Sequence, residues 1–412
     1  MSIGDNVQVQ PSAAAIRAIP HSVIALGFVS LFMDISSEII HSLLPVFLVT
    51  VLGAGALSIG FIEGIAEATS QTAKLFSGAV SDWIGRRKLL VLLGYGLSAL
   101  TKPLFPLASG IGVVVVARFV DRIGKGIRGA PRDALIGDVT PVELRGTAFG
   151  LRQSLDTVGA FVGPLLAMLL MAISSDNFRL VFWIAVVPGI VSVLLILYGV
   201  KEPDAPPKTE SRPFPIQQSE LRRLDLAYWW LVGIATVLTL GRFSEAFLLL
   251  AAEHVGLAVA LIPGVLVAMN VVYAASAYPF GKLSDAVSRL MLLAFGATFL
   301  IAADIVLATA GTVGKVFTGV ALWGLRMGAT QGLLSTAVVD AAPADLRGTA
   351  LGIYNLITGI ALLMASILAG WLWAASGPAA TFIAGGAFAG IALLGILVSW
   401  RSGMNSGSAQ EC

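Results

Sequence analysis

Long apolar runs separated by turn signals dominate this sequence. A helix needs about 20 apolar residues to cross the ~30 Å hydrocarbon core of a bilayer. Only 12% of the residues are charged, about half of the ~25% that is usual in soluble domains, and the mean hydropathy is +0.89. This composition excludes a disordered chain, a nucleic-acid-binding protein and an ordinary soluble enzyme. We predict an all-α polytopic membrane protein with twelve spans near residues 22–49, 58–80, 89–108, 111–136, 147–173, 179–199, 226–251, 258–280, 290–309, 313–338, 349–374 and 379–399.

The basic residues of the predicted loops indicate how the spans are oriented. Loops on the cytoplasmic side of a membrane protein carry an excess of Lys and Arg. One side of the predicted bundle holds only Arg179 and Lys315. The other side holds Arg17, Arg86, Arg87, Lys88, Arg145, Lys201, Lys208, Arg212, Arg222, Arg223, Lys282, Arg289, Arg347 and Arg401. We therefore expect this second side, and both termini with it, to face the cytoplasm.

One long polar stretch divides the chain. Residues 201–225 contain five prolines and charges of both signs, which is typical of a linker rather than of a folded domain. The sequence thus predicts a tail over 1–20, a six-helix half over 21–200, the linker, a second six-helix half over 226–400 and a tail over 401–412. We expect the linker and both tails to be cytoplasmic.

The two halves resemble each other in sequence. The segment GAVSD at 78–82 recurs as GKLSD at 281–285, which is 203 residues later. The segment DVTPVELRGTAFG at 138–150 recurs as DAAPADLRGTALG at 340–352, which is 202 residues later. Six-helix halves repeated in parallel are typical of transporters that rock around a site at the repeat interface.

Three motifs carry a family resemblance. The pattern GxxxDxxGRR at 78–87 is similar to the loop signature of the major facilitator superfamily, and ARFV at 117–120 resembles the arginine motif of its fourth helix. The fifth span resembles the signature of its proton-driven antiporters, although Ala167 and Met168 stand where that family has a pair of glycines. The antiporter-like positions are Gly150, Gly159, Gly163 and Pro164.

The resemblance covers about 21–400 and implies the fold of that superfamily, with twelve transmembrane helices in two six-helix pseudo-symmetric halves. The stretches DISSEII, GFIEGIAEAT and DRIGKGIRGAPRDALIGD are similar to a prokaryotic branch of permeases, some of them associated with metal or drug resistance. The resemblance therefore implies a multi-pass protein of a prokaryotic inner membrane. It also implies a monomer that binds a small-molecule substrate and protons within the lipid bilayer, without nucleic acid.

In families like this, contacts of the loop signature latch the cytoplasmic side closed. The carboxylate of Asp82 can meet the positive N-terminal end of a neighbouring helix, or a nearby arginine. The second copy lacks a glycine and the doubled base, so we expect a weaker latch there. The gate or latch residues are then Gly78, Asp82, Gly85, Arg86, Arg87, Arg132, Asp138, Arg145, Asp285, Arg289, Asp340 and Arg347.

Charged residues within the spans are the most informative, because each costs roughly 2.5–3.5 kcal/mol at mid-bilayer. Ten bases and nine acids fall within the predicted spans. This near balance suggests mutual pairing in a polar interior. Eight of the bases and seven of the acids lie in the first half, where we expect the coupling machinery.

Helical spacing places several of these charges on shared faces. Asp34, Glu38 and His41 are at i, i+4 and i+7, so they form one stripe on the first span. Neighbouring carboxylates away from water hold protons more readily than exposed ones. We hypothesise that Asp34 or Glu38 takes up the proton and that Arg118 tunes it; the alternative is a static ion-pair network. The proton-coupling set is Asp34, Glu38, Glu63, Glu67, Arg118, Asp121, Arg122, Arg152 and Asp156.

Other intramembrane polar residues are candidates for substrate contacts. We predict no metal site, because a closed zinc site usually takes four ligands and His41 is the one histidine away from the membrane edges. Transient passage of a divalent cation stays open. The predicted cavity residues are His41, Gln71, Lys102, Arg242, Glu245, Asn270, Asp304, Arg326 and Gln331.

We expect no cofactor, and we expect the proton gradient to supply the energy. The pattern GxGxxG at 124–129 lies within a predicted membrane helix without a preceding strand, and no GxxxxGK[ST] phosphate loop occurs. We therefore expect a secondary transporter rather than an enzyme. It would work by alternating access and export a small solute, drug or metal-related compound in exchange for protons. The alternatives are a proton or cation symporter that imports a small organic anion, and a non-transporting membrane sensor.

Overall fold

The computed structural model describes residues 19–84, 86–201, 223–284, 287–330, 333–343 and 346–401. Within these ranges the protein is all-helical, without a β-strand. Most of the predicted linker and most of both predicted tails lie outside the described residues, so the assignment of these segments stays a prediction.

Six membrane-length helices make up the first half, and each overlaps one predicted span. They are α1 (His21–His41 and Leu44–Thr50), α2 (Ala56–Ile84), α3 (Arg87–Thr101 and Leu104–Leu107), α4 (Ile111–Val139), α5 (Arg145–Ile173) and α6 (Phe178–Gly199).

The described part of the second half repeats this arrangement. Its helices are α7 (Leu226–Gly241 and Ala246–His254), α8 (Gly264–Ser284), α9 (Arg289–Ala308), α10 (Val313–Thr330 and Leu333–Asp340), α11 (Arg347–Ser376) and α12 (Pro378–Arg401). The predicted all-α fold of twelve spans in two halves is confirmed.

Nine of these twelve helices are apolar enough over their described residues to cross a membrane by length and composition alone. The other three are α2, α4 and α10. They carry many of the interior charges, among them Glu63 and Glu67 on α2, Arg118 on α4 and Arg326 on α10. Charge lowers the hydropathy of these helices because they face the polar interior of the bundle.

The first helix of each half is interrupted at the same point of the repeat. In α1 the break lies at Ser42 and Leu43, before Pro45, which suits the first turn of a new helix. In α7 the break lies between Arg242 and Glu245, and Arg242 has a non-helical backbone. Interrupted helices commonly form the binding sites of transporters, because they free backbone groups and polar side chains at mid-membrane.

Contacts between loops define the two ends of the bundle. At one end, which we call the basic end, the N–H of Lys201 donates to Ser22 Oγ at 3.2 Å, and Arg87 pairs with Asp138 at 2.7 Å. At the opposite end, which we call the far end, the Arg179 guanidinium donates to the carbonyl of Ala108 at 2.9 Å.

The buried apolar core is shared by the halves at the far end and divided at the basic end. One cluster contains Phe47 and Phe182 of the first half together with Phe247 of the second. Around the basic end, the described core residues instead form separate clusters, one around Tyr95 in the first half and others in the second half, including Tyr228. The buried cores of the two halves therefore merge at the far end and stay separate at the basic end.

Two helix pairs also join the halves along their length. α2 packs against α11, where Gly60 lies so close to the Ser366 carbonyl that a Cβ would overlap it. α5 packs against α8. Small residues allow helix backbones to approach in this way, so close packing as well as the far-end core sets the relative position of the halves.

Candidate functional site

Asp34 and Glu38 lie on the side of α1 that packs against α5. A Cβ added at Gly159 would lie 2.9 Å from the Asp34 Cβ, and one added at Gly163 would lie 2.5 Å from the Glu38 Cβ. The α1 backbone therefore comes too close for any side chain at these two positions. The structure brings the predicted acid pair and two of the antiporter-like residues together in one interface, whereas Gly150 of the same motif meets nothing within 4 Å.

Asp34 and Glu38 are intermediate between buried and exposed residues. Among the described residues, neither carboxylate accepts a hydrogen bond or has an ion-pair partner within 4.0 Å. The charged groups that act on Glu38 electrostatically include Lys125, Asp34 and Arg122 of its own half. These two carboxyl groups are thus in reach of bases without being held by one.

Charges of the second half meet the same region. Glu245, at the break in α7, lies within electrostatic reach of Glu38, and also of Glu67 and Lys125. The side chains of Lys125 and Arg242 are exposed within the bundle's polar region, and Glu245 is partly exposed. Acids and bases from both halves therefore lie within electrostatic reach of one another near the breaks in α1 and α7.

A paired network begins one helix away, around Arg118. Its Nη2 lies 2.8 Å from Glu63 Oε2 and donates to His41 Nδ1 at 2.6 Å. Arg118 and Glu63 are both almost completely buried. His41 therefore accepts a hydrogen bond from Arg118, and the described residues contain no cluster of three or more His, Cys, Asp or Glu that could hold a metal ion.

The same network continues through two more ion pairs. Arg122 lies 3.2 Å from Glu67. Lys102, at the break in α3, is buried; its Nζ lies 3.0 Å from Asp121 Oδ1 and donates to Ser37 Oγ at 3.0 Å. Lys102, predicted as a cavity residue, thus lies inside the first half as the partner of Asp121.

Tyr95 organises the bases nearer the basic end. Arg132 donates to Ser30 Oγ at 2.9 Å and to Tyr95 Oη at 3.3 Å. The guanidinium of Arg128 lies 4.4 Å from the centre of the Tyr95 ring and donates to Ser98 Oγ at 2.9 Å. Sequence reasoning missed Tyr95, Ser30 and Ser98. The only sequence signal for these three residues was a polar side chain within an apolar span. Spacing along one helix does not show which basic residue of another helix such a side chain contacts.

Arg152 joins α5 to this group. It forms ion pairs with Asp156, one turn along α5, and with Asp133 of α4 at 2.9 Å. Asp156 in turn lies 4.0 Å from Arg132 and acts electrostatically on Asp34. The predicted coupling residues therefore form a paired network whose edge touches the unpaired acid pair.

The predicted charged cavity residues of the second half form no ion pairs with one another among the described residues, although Arg326 lies within electrostatic reach of Arg242, Glu245 and Asp304. Asp304 and Arg326 are buried, and Arg326 lies over the Trp323 ring at 5.2 Å. The side-chain amide of Asn270 reaches the Ala160 carbonyl of the first half at 3.5 Å. Gln331 lies outside the described residues, and Gln71, a predicted cavity residue of the first half, packs beside Gly359 of α11.

Two predicted latch pairs have the same position in each half. Arg87 pairs with Asp138, and Arg289, 202 residues after Arg87, pairs with Asp340, 202 residues after Asp138. Each pair lies within its own half and joins the start of one helix to the end of the next. The sequence repeat is therefore reproduced in the structure.

The remaining latch positions within the described residues lie at the basic end. Arg86, Arg145 and Arg347 are exposed there, and the last two begin α5 and α11. Gly85 and Asp285 lie outside the described residues, as do the side chain of Asp82 and the surroundings of Gly78. The latch role of this loop stays a prediction.

Comparison with known proteins supports the same architecture. Residues 26–366 match the family model of the Major Facilitator Superfamily. An uncharacterized MFS-type transporter of Methanocaldococcus jannaschii is 34% identical over 382 residues, which cover 90% of this chain and 93% of that protein. The multidrug resistance protein MdtH of Photorhabdus laumondii is 28% identical over 158 residues, 38% of each chain. A crystal structure of a POT family transporter in complex with a thioalcohol-conjugated peptide shares the fold, with a TM-score of 0.78, 14% identity and coverage of 95% of this chain and 100% of that one.

Proposed function

Because the chain belongs to the Major Facilitator Superfamily, as its motifs predicted, we propose that it is a secondary transporter that exports a small solute in exchange for protons. Membership itself points to a multi-pass membrane transporter of small molecules rather than to an enzyme. The proton coupling, the direction and the class of solute are the parts that we propose.

The main support for this proposal is that the carboxylates of Asp34 and Glu38 have no ion-pair partner among the described residues. Glu63, Glu67 and Asp121 each have a base within about the length of a hydrogen bond. A carboxylate held by a base stays ionised, because the opposite charge favours the charged form. Asp34 and Glu38 have no such partner among the described residues, so a proton can bind to them and leave.

The position of this acid pair suits exchange. Glu38 lies within electrostatic reach of Glu245 of the second half, and we place the transport cavity between α1 and α7. A site that binds either protons or a cationic solute, but not both together, couples the release of one to the binding of the other. Such competition at Asp34 and Glu38 produces antiport by alternating access.

Lys125 suits the tuning role better than Arg118. Arg118 donates to Glu63 and His41, so its charge is already compensated. Lys125 is exposed toward the cavity and acts electrostatically on both Asp34 and Glu38. A nearby base of this kind favours the ionised carboxylate and so helps to release the proton.

The division of the core supports a state that is open at the basic end. If the basic end faces the cytoplasm, as the loop bases predict, the cavity opens to the cytoplasm in this conformation. This is the state in which an exporter would collect its solute. We place the protein in the inner membrane of a prokaryote, with both termini inside.

Import of an organic anion together with protons is the second candidate. Lys125 and Arg242 both expose their side chains, and neither has an ion-pair partner among the described residues. Two uncompensated bases in one cavity would bind a carboxylate or phosphate group of a solute.

Transport measurements in proteoliposomes test the proposal and separate it from its rivals. Thermal stabilisation first selects a compound from lipophilic cations, led by ethidium because of the distant multidrug relative, and from organic anions and divalent metal salts. The selected compound is then offered to vesicles with an imposed pH gradient. Antiport predicts accumulation when the lumen is acidic. Accumulation only when the lumen is alkaline would instead establish symport, and the absence of flux under either gradient would favour a sensor.

A further inference from the structure

Asp304, on α9, is a buried carboxyl group without a partner. Its side chain is 1% exposed. Both carboxylate oxygens are out of contact with solvent and have no hydrogen-bond donor among the described residues. Buried polar groups are almost always hydrogen-bonded, so this carboxyl group calls for an explanation.

The niche around Asp304 is built by glycine and apolar side chains. A Cβ added at Gly385 of α12 would lie 2.7 Å from Asp304 Oδ2 and 2.9 Å from Phe243 Cε1. A Cβ added at the next residue, Gly386, would lie 3.5 Å from the Asp304 Cβ, at ordinary contact distance. The carboxyl group thus occupies a space that exists because α12 has no side chain there, and Phe243 of α7 closes it.

Few charged groups face this niche from the packed helices. On α10 the single interior base is Arg326, which acts on Asp304 electrostatically but has no ion pair with it within 4.0 Å. At the break in α7, Arg242 and Glu245 act electrostatically on Arg326. α12 carries no charged residue between 378 and 399, and α9 itself has only Arg289, at its basic end.

Arg326 is itself incompletely bonded in this conformation. Its guanidinium lies over the Trp323 ring, and both its Nε and the Trp323 Nε1 lack hydrogen-bond partners among the described residues. A buried carboxylate and a buried base therefore lie on adjacent helices without touching. An ionised carboxylate in such a niche is strongly disfavoured, whereas a protonated one is neutral.

We propose that Asp304 is a second proton-binding site of this protein, separate from the acid pair on α1, and that it holds a proton in the conformation described here. Release of this proton leaves a carboxylate whose charge Arg326 can neutralise once α9 and α10 bring the two side chains together. The proton and the Arg326 guanidinium are thus alternative partners of the Asp304 carboxylate. Because the Gly241 carbonyl oxygen also borders this niche, a sodium ion is the competing ligand of the Asp304 carboxylate.

Infrared spectroscopy of the purified full chain at neutral pH tests the proposal directly, without any transported solute. We expect a C=O stretching band of a protonated carboxylic acid that Asp304→Asn removes. The matched control is Asp176→Asn, the same change at an exposed position near the far end. Because the readout is the carboxyl group itself, failure of this test leaves the proposal for Asp34 and Glu38 untouched.

Three results would overturn the assignment. The first is that Asp304→Asn removes a band of an ionised carboxylate from the spectrum and leaves the carboxylic acid bands unchanged. The second is a carboxylic band that does not shift in D2O, since a proton-binding site must exchange its proton. The third is a band that disappears in sodium chloride but persists in choline chloride of the same ionic strength, which would indicate a sodium site.

If Asp304→Asn does not fold, infrared spectroscopy of an isotope-labelled sample tests the proposal. Asp34→Asn protein is then produced with 13C-labelled aspartate, so that any protonated aspartate gives an isotope-shifted carboxylic band. The proposal expects such a band, and its absence would show that Asp304 is ionised.

Discussion

The two halves of this protein share a fold and differ in their interior chemistry. In the first half, the interior bases Lys102, Arg118 and Arg122 are each paired with an acid of a neighbouring helix. In the second half, Asp304 and Arg326 lie buried on adjacent helices without forming an ion pair. Apart from Asp34, Glu38 and Lys125, the first half thus resembles a fixed ionic frame, whereas the buried pair of the second half is free to change partners.

The ends of the halves have diverged much less than their interiors. The pairs Arg87–Asp138 and Arg289–Asp340 keep the same position at an offset of 202 residues. Arg145 and Arg347 begin the corresponding helices α5 and α11. The repeated loops therefore keep the same scaffold contacts in both halves, whereas the interior charges distinguish one half from the other.

The same change of acid to amide should have opposite consequences in the two halves. Glu63→Gln leaves the buried Arg118 uncompensated, which should lower the free energy of unfolding by about 3–5 kcal/mol. Asp304→Asn removes no ion pair, so it should leave the thermal stability of the purified protein unchanged or raised. Thermal unfolding in detergent measures both variants.

A double variant checks the reason for this difference. Glu63→Gln combined with Arg118→Gln removes both charges, so it should be more stable than Glu63→Gln alone. A double variant as unstable as the sum of the two single variants would show that Glu63 and Arg118 do not act as a pair, and the contrast between the halves would lose its basis.

The α1–α5 interface should tolerate no side chain beside the acid pair. Gly163→Ala places a Cβ against Glu38 and should cost about 1–3 kcal/mol through overpacking. Gly150→Ala, on the same helix but in open space, should instead stabilise the protein by about 1 kcal/mol because alanine favours a helix. Equal effects of the two substitutions on thermal stability would contradict the close contact.

The twin ion pairs at the basic end should contribute little and act independently. Exposed pairs of this kind are worth about 0.2–1 kcal/mol. Double-mutant cycles for Arg87 with Asp138 and for Arg289 with Asp340 should give coupling energies in that range. The first should be the larger, because its side chains are more buried. Coupling between the two pairs themselves would indicate a latch that joins the halves, against their placement within separate halves.

Much of the architecture could be predicted from the sequence alone. Apolar length predicted the twelve spans, and the repeat predicted the related halves, because both signals are local along the chain. The partners of the interior charges could not be predicted in this way. Helical spacing placed Arg118 and Glu63 on faces of their own helices, but whether Arg118 meets Glu63 or Asp34 depends on how three helices pack. Tyr95 was missed for the same reason.

The central claim, that Asp34 and Glu38 carry the transported proton, is tested most directly by separating net transport from exchange. Asp34→Asn and Glu38→Gln variants are reconstituted, and uptake of the compound selected by thermal stabilisation is measured with a pH gradient and, separately, by counterflow without one. We predict that at least one variant loses gradient-driven accumulation but keeps counterflow, because exchange of solute for solute needs no net proton movement. Gradient-driven accumulation at the wild-type rate in both variants would contradict the account.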